Sequence, residues 1–282
     1  MSAVATRPEA TSPAAPARAT RRARRWTGWV LPVYTWLVIF YLVLPIMVMI
    51  AFGFNDTKSR LNLTWQGFTF HWYRDVLSIG SLSAALRNTL LVAVLTTFAS
   101  TVLGTMLGVA LGRYRFRGRG GVDLLIFAAI SAPELVLGTA LLSLFVTLQV
   151  PRGIPTILVA HIMFAVSFVA VTVRARMAGF DVTLEEAAQD LGADPWTTFR
   201  KVTLPLIFPG VMAGALLAFA LSIDDYIITS FVNGQTETFP IWVYGATRQG
   251  VPPQVNVMGT LLFLTGVGLA VANAVALRRR KL

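Results

Sequence analysis

Six long apolar runs, separated by short polar segments, constrain the fold of this chain more than any other feature. The runs occupy residues 29–54, 88–112, 122–150, 155–173, 206–232 and 255–277. Each reaches roughly the 20 residues that an α-helix needs to cross a hydrocarbon core about 30 Å thick. The 282-residue chain is 55% hydrophobic and 13% charged, a composition unlike that of a soluble domain. The sequence therefore predicts an all-α polytopic membrane protein with six transmembrane helices.

The composition argues against several kinds of site. The chain contains no cysteine, so it can form neither a disulfide nor a thiolate metal site. Its two histidines, His71 and His161, are isolated from each other, and we expect no metal site. His161 lies inside an apolar run, where a packed or hydrogen-bonded core residue is a better interpretation than a catalytic one. We expect no catalytic residue in this chain.

The basic residues predict the orientation of the chain in the membrane. The net charge of +11 could suit a nucleic-acid partner, but the Lys and Arg residues stand in short blocks beside the apolar runs. With the N-terminus inside, 18 of them are cytoplasmic and 6 are external. The positive-inside rule then predicts two cytoplasmic termini and no nucleic-acid binding. Residues 1–25 are expected to form a disordered basic tail, followed by a six-helix transmembrane domain over 26–282.

Two further features concern packing and partners. Glycine recurs at every fourth residue of the second run, at Gly104, Gly108 and Gly112, which predicts a stripe that another helix approaches closely. The external segment 55–86 is polar and aromatic. We interpret its aromatic residues as membrane-interface anchors or a docking surface, with substrate binding as the alternative. These residues are Trp65, Phe68, Phe70, Trp72 and Tyr73.

A polar island at 185–205 has the local signals of a helix–turn–helix on the cytoplasmic side. Thr183 with Glu186 three residues later reads as a capping box, so a helix is expected to begin near Leu184. Gly192 should end this helix at positive φ. Asp194 followed by proline should open a second helix, which closes at Leu204-Pro205.

Seven residues of this island stand at a recognisable spacing: E-A-A, three residues, G, nine residues, a branched apolar residue, one residue, L-P. They are Glu186, Ala187, Ala188, Gly192, Val202, Leu204 and Pro205. The pattern resembles the inner-membrane permease subunits of ATP-binding-cassette importers, with valine at 202 where isoleucine is usual. The resemblance implies the type I importer permease fold, with a coupling helix in the loop at about 174–206 that docks on an ATPase subunit. The alternative is an ordinary amphipathic cytoplasmic loop.

The resemblance also implies a set of partners. They are a second permease subunit, two ATPase subunits, an extracytoplasmic substrate-binding protein and the lipid bilayer. The chain has no G-x-x-x-x-G-K-[ST] loop to hold phosphates, so we expect it to be a transport subunit and not an enzyme. ATP and Mg²⁺ would bind to the partner ATPase, and we expect no cofactor in this chain.

Three carboxylates within the apolar runs are the candidate pathway residues: Asp224, Asp225 and Glu134. A charge at the centre of a membrane helix costs about 2.5–3.5 kcal/mol on insertion scales, so such groups usually face a cavity or a partner. Adjacent helical residues point about 100° apart, so one aspartate can face a pathway while the other contacts a helix or caps a break. The alternative is structural: both aspartates cap a break after Ser222, and Glu134 pairs with an arginine.

The segment from Ser222 to Tyr226, S-I-D-D-Y, narrows the resemblance to the second permease of spermidine/putrescine importers. That resemblance implies a polyamine cargo, for which carboxylates and the aromatic faces of Tyr226, Trp242 and Tyr244 would be suitable surfaces. Other cationic amines or opine-like substrates remain open. An ion-coupled secondary transporter using the three acids is an alternative of a different class, but it leaves the spaced pattern unexplained. A membrane scaffold with no transport role is a third class.

Overall fold

The computed structural model describes residues 23–59, 62–248 and 250–279. The predicted disordered tail falls mostly outside these residues. The helices are α1 (Ala23–Phe52), α2 (His71–Arg74), α3 (Gly80–Arg113), α4 (Arg119–Ser131), α5 (Glu134–Thr147), α6 (Ile154–Met177), α7 (Thr183–Asp190), α8 (Pro195–Thr198), α9 (Leu204–Asp224), α10 (Ile227–Val232), α11 (Phe239–Ala246) and α12 (Pro253–Arg279). A π-helical turn, Phe199–Thr203, joins α8 to α9. The chain divides into two compact units between Met49 and Ile50, and the packing contacts and candidate sites described below lie in the second unit.

Five helices of the described chain are long and apolar enough to cross a membrane, and the bent pair α4–α5 makes six if it counts as one span. This agrees with the predicted six-helix membrane fold. The predicted bounds need two corrections in the first half of the chain. Helix α3 begins at Gly80, so residues 80–87 are the first turns of the helix that contains the second predicted span.

The third predicted span, 122–150, is not one straight helix. It is broken between Ser131 and Glu134, and α4 and α5 meet at a bend of 108°. The reason is Pro133, which lacks an N–H and disfavours helical geometry in the residue before it. Ala132 accordingly has extended angles, φ −69° and ψ 134°. Glu134 is therefore the first residue of α5 and lies at the break between the two helices.

The glycine stripe of α3 packs against α6, as predicted. A Cβ added at Gly104 would lie 2.5 Å from Cβ of Val169, and one added at Gly108 would lie 2.7 Å from the carbonyl oxygen of Ala170. Helix α9 packs against α6 too, and Ile207 and Val211 join Val169 in one buried cluster. Helices α3, α6 and α9 thus pack closely against one another.

The fifth predicted span, 206–232, needs correction at both ends. Leu204-Pro205 does not close a unit, because helical structure continues from Pro195 to Asp224. A proline ring clashes with the carbonyl four residues earlier in a regular helix, and the π-helical turn just before Pro205 interrupts the regular ladder there. At the other end α9 stops at Asp224. The extended residue Asp225 and the short helix α10 follow.

The segment that precedes α3 folds around one buried side chain. Asn55 is fully buried, and its Oδ1 accepts a hydrogen bond of 2.7 Å from the backbone N–H of Gln66. Its backbone oxygen accepts one of 2.8 Å from the indole of Trp72. Phe54 stacks on Phe68, with ring centroids 5.3 Å apart. Trp65, Phe68 and Phe70 remain exposed, so part of the predicted aromatic cluster forms an open apolar surface.

Candidate functional site

The polar island folds locally much as its sequence indicates, with one correction at its start. Helix α7 begins at Thr183, but Thr183 and Glu186 do not form a capping box. Instead Asp181 Oδ1 accepts hydrogen bonds from the Thr183 hydroxyl (2.8 Å) and the Thr183 N–H (3.0 Å). These bonds, the hydroxyl first, lower the pKa of Asp181. Asp181, two residues before the first residue of α7, thus accepts the N–H of Thr183 that has no partner within the helix.

The turn and the second helix follow the prediction. Gly192 has φ +87°, a conformation that glycine adopts without strain. Asp194 caps α8, since its carboxylate accepts from the N–H groups of Trp196 (3.1 Å) and Thr197 (3.2 Å). The hydroxyl of Thr197 donates a further bond of 2.5 Å and is the main reason why the pKa of Asp194 is lowered.

The seven residues of the spaced pattern do not share one surface. Four are exposed, namely Glu186, Ala187, Gly192 and Pro205, and three are half-buried, namely Ala188, Val202 and Leu204. Two apolar side chains outside the pattern, Leu191 and Trp196, are 90% and 67% exposed. Large apolar side chains flanking an exposed turn are typical of a contact surface for another protein. Both residues stand close to Gly192 in the sequence, but neither belongs to the spaced pattern, so the pattern alone did not point to them.

Glu185 is the residue of this segment that sequence reasoning missed. Its side chain is 5% exposed, it forms a salt bridge with Arg113, and its Oε1 accepts a hydrogen bond from the Thr203 hydroxyl. Arg113 ends α3 and Thr203 directly precedes α9. One carboxylate therefore connects α7 to two long helices. Nothing in the local sequence distinguishes Glu185 from its exposed neighbour Glu186 except the direction in which each points from α7.

The second group of candidate residues lies where α9 ends. The side chain of Asp225 is 8% exposed, and its Oδ2 accepts hydrogen bonds from the N–H (2.8 Å) and the hydroxyl (2.5 Å) of Thr229. Asp225 thereby caps α10. His161 from α6 approaches the same oxygen at 3.2 Å through Nε2, which is also 2.8 Å from the Thr229 hydroxyl. The prediction that His161 is a hydrogen-bonded core residue is confirmed.

Asp224 faces the other way. With Tyr226 and Tyr244 it lines a cavity of about 770 Å³ formed by α9, α11 and α12. The rings of Tyr226 and Tyr244 are 4.7 Å apart, and the guanidinium of Arg248 lies 5.5 Å from the Tyr244 ring centre. Among the described residues that line the cavity, Asp224 carries the one carboxylate, and the rest of the wall is mainly apolar. The two aspartates thus have different surroundings, because α9 ends at Asp224 and the backbone of Asp225 is extended.

Glu134 and Trp242 do not line the Asp224 cavity. Glu134 is half-buried and lies within electrostatic range of Asp225 and Asp224. Among the described residues it forms no salt bridge, so the alternative in which Glu134 pairs with an arginine is not seen. Trp242 is not part of the Asp224 cavity. Its indole donates a hydrogen bond of 3.0 Å to the Ser81 hydroxyl, and it lines a separate cavity of about 500 Å³.

The comparisons with known proteins identify the family. The sequence pattern of the family described as "Binding-protein-dependent transport system inner membrane component" matches residues 104–278. This chain belongs to that family. It is an inner-membrane, multi-pass transport protein, in agreement with the resemblance inferred from the spaced pattern.

Curated relatives and solved structures agree with the family. The permease is 40% identical over 239 residues to the "Spermidine/putrescine transport system permease protein PotC" of Escherichia coli, covering 84% of this chain and 90% of that protein. It is 38% identical over 237 residues to the "Putrescine transport system permease protein PotI" of the same organism, covering 81% and 83%.

Solved structures show the same fold. A chain of a bacterial ABC transporter involved in the import of alginate superposes with a TM-score of 0.65 at 19% identity, covering 93% of this permease and 99% of that chain. A chain of the MetNI methionine ABC transporter gives 0.60 at 21% identity, covering 70% and 95%. At these identities the likeness concerns the fold, which is that of type I importer permeases.

Proposed function

We propose that this permease carries polyamines of the spermidine and putrescine type inward, as the transmembrane subunit of an ATP-driven importer. The observation that carries the proposal is the Asp224 cavity, in which one carboxylate stands beside Tyr226 and Tyr244. Carboxylates and aromatic faces attract ammonium groups. A single exposed acid in an apolar wall also holds a cation weakly enough to release it, which conduction requires. The names of the two E. coli relatives support this cargo.

The proposed assembly contains a second permease, two ATPase subunits that bind ATP and Mg²⁺, and an extracytoplasmic substrate-binding protein. The α7–α8 segment is the proposed ATPase contact, and the exposure of Glu186, Leu191 and Trp196 supports it. Both termini are proposed to be cytoplasmic, and the open aromatic surface at Trp65, Phe68 and Phe70 to lie on the external side. Family membership argues against the ion-coupled secondary transporter considered above.

The test is uptake of labelled putrescine, spermidine and an unrelated cationic amine by the assembled complex. Asp224→Asn keeps the size of the side chain and removes its charge. We expect it to lower putrescine uptake by about tenfold, the effect of losing one charged contact of about 1.4 kcal/mol. Asp56→Asn, the same change at an exposed external position, should leave uptake unchanged. Wild-type uptake and wild-type cation preference in Asp224→Asn would refute the assignment of Asp224 to the pathway. Better uptake of the unrelated amine would refute the polyamine cargo.

A further inference from the structure

A cluster of hydrogen-bonded polar side chains lies at the break between α9 and α10. It contains none of the residues of the spaced pattern. It consists of His161, Ser222, Asp225 and Thr229, which we call the His161 network. His161 is 4% exposed, Ser222 5% and Thr229 0%. A break in a helix at membrane depth frees backbone groups that lipid cannot satisfy, so other protein groups must take them. The His161 network lies where that need arises.

The ring of His161 connects both sides of the break. Nδ1 is 2.8 Å from the hydroxyl of Ser222, which lies in the last turn of α9. Nε2 is 2.8 Å from the hydroxyl of Thr229 in α10 and 3.2 Å from Oδ2 of Asp225 in the connection. A neutral ring protonated at Nε2 satisfies every member, because Nδ1 then accepts from Ser222 while Nε2 donates toward Asp225 and Thr229.

This arrangement also sets the direction of the Asp224 side chain. Because Asp225 is held inward by His161 and Thr229, the residue before it must point away, into the cavity with Tyr226 and Tyr244. A rotation of the break that moved Asp225 outward would carry Asp224 away from the cavity. The two adjacent acids therefore cannot exchange places while the network is intact.

We propose that His161 is a positioning residue, which fixes the α9–α10 break through Ser222, Asp225 and Thr229 and so aims Asp224 into the cavity. His161 itself does not line that cavity and need not touch cargo. Its role in transport rests on the function proposed above, whereas its role in the geometry of the break does not.

The geometric part can be tested by thiol labelling, because the chain contains no cysteine and each introduced cysteine is its only one. Asp224→Cys reports access to the cavity, and Ile228→Cys reports the position of α10, since Ile228 is 1% exposed. Each is placed in the assembled transporter and labelled with a small, positively charged methanethiosulfonate, with the mass of this chain as the readout. We expect rapid labelling at 224 and protection at 228.

His161→Phe keeps an aromatic ring of similar size and removes every hydrogen bond. In that background we expect labelling at 224 to slow by about tenfold and labelling at 228 to accelerate by a similar factor, as loss of one positioned polar contact implies. His71→Phe, the same change at the exposed external histidine, is the labelling control and should alter neither rate. Unchanged labelling of both cysteines in His161→Phe would overturn the proposal.

Uptake separates a positioning role from a merely structural one. A structural defect lowers the number of folded complexes and therefore Vmax, whereas a misplaced Asp224 raises the KM for putrescine, by about tenfold in His161→Phe. His161→Gln supplies one donor and one acceptor and should recover part of the KM. Altered labelling with an unchanged KM would overturn the transport role while supporting the geometric one. A failure of Asp224→Asn to alter uptake would overturn the proposed pathway without touching the labelling result.

Discussion

Replacing Glu185 by glutamine tests the buried connection between α7 and the long helices. Glu185 and Glu186 are adjacent and chemically identical, but one is buried against Arg113 and Thr203 and the other is exposed. Glu185→Gln and Glu186→Gln are therefore a matched pair. We expect the first to destabilise the protein and the second to leave its stability almost unchanged, because surface substitutions away from special contacts are usually within about 0.5 kcal/mol.

The magnitude follows from the two contacts of Glu185. A hydrogen bond to a charged group contributes about 1.5–3 kcal/mol, and glutamine keeps an acceptor for Thr203, so only part of this is lost. An exposed ion pair contributes about 0–1 kcal/mol, whereas removing one partner of a fully buried pair costs about 3–5 kcal/mol. Arg113 is 24% exposed and can regain water, so its contribution falls between these limits. The expected loss for Glu185→Gln is about 1–3 kcal/mol.

Thermal unfolding of the purified permease, followed by tryptophan fluorescence, measures the effect. At about 2–4 °C per kcal/mol for a chain of this size, the melting temperature of Glu185→Gln should fall by several degrees. Thr203→Val removes the hydroxyl donor alone and should give a smaller loss, with the double variant less than additive because both changes touch one carboxylate. Equal melting temperatures for Glu185→Gln and Glu186→Gln would refute the reasoning, since the difference in burial would then have no energetic consequence.

Two further outcomes are expected. Gly108→Ala should destabilise the permease by about 1–3 kcal/mol, because the new Cβ would lie 2.7 Å from the carbonyl oxygen of Ala170. Gly120→Ala is the control and should not destabilise it, because Gly120 lies in α4 and its new Cβ meets nothing within 4 Å. Equal stability of the two variants in denaturant titrations would contradict the close α3–α6 packing. Glu186→Lys should leave insertion and melting temperature unchanged but abolish stimulation of the ATPase by loaded binding protein, because it reverses a charge on the proposed contact surface. Wild-type stimulation would remove that surface from the coupling.

The elements that the sequence predicted well depend on single-residue preferences of the backbone. Gly192 takes positive φ and Asp194 caps α8 because these are properties of glycine and aspartate at a helix end, whatever surrounds them. The six apolar runs follow from the length that a bilayer demands. The glycine stripe on α3 predicts a close helix neighbour because glycine has no side chain to keep that helix away. The proline at 133 was visible too, but the 108° bend that it permits depends on how α4 and α5 pack.

Only the tertiary structure decided which member of each pair of neighbouring acids is buried. Asp225 turns inward because His161, 64 positions earlier in the chain, offers it a partner, and Asp224 is left to the cavity. Glu185 is buried because Arg113 reaches it from the end of α3, while Glu186 faces outward. In both pairs the two residues have the same charge and nearly the same local sequence. The two glutamates point about 100° apart on α7, whereas the two aspartates diverge because α9 ends at Asp224 and Asp225 is extended. In both pairs the contacts that fix the directions come from segments distant in the chain.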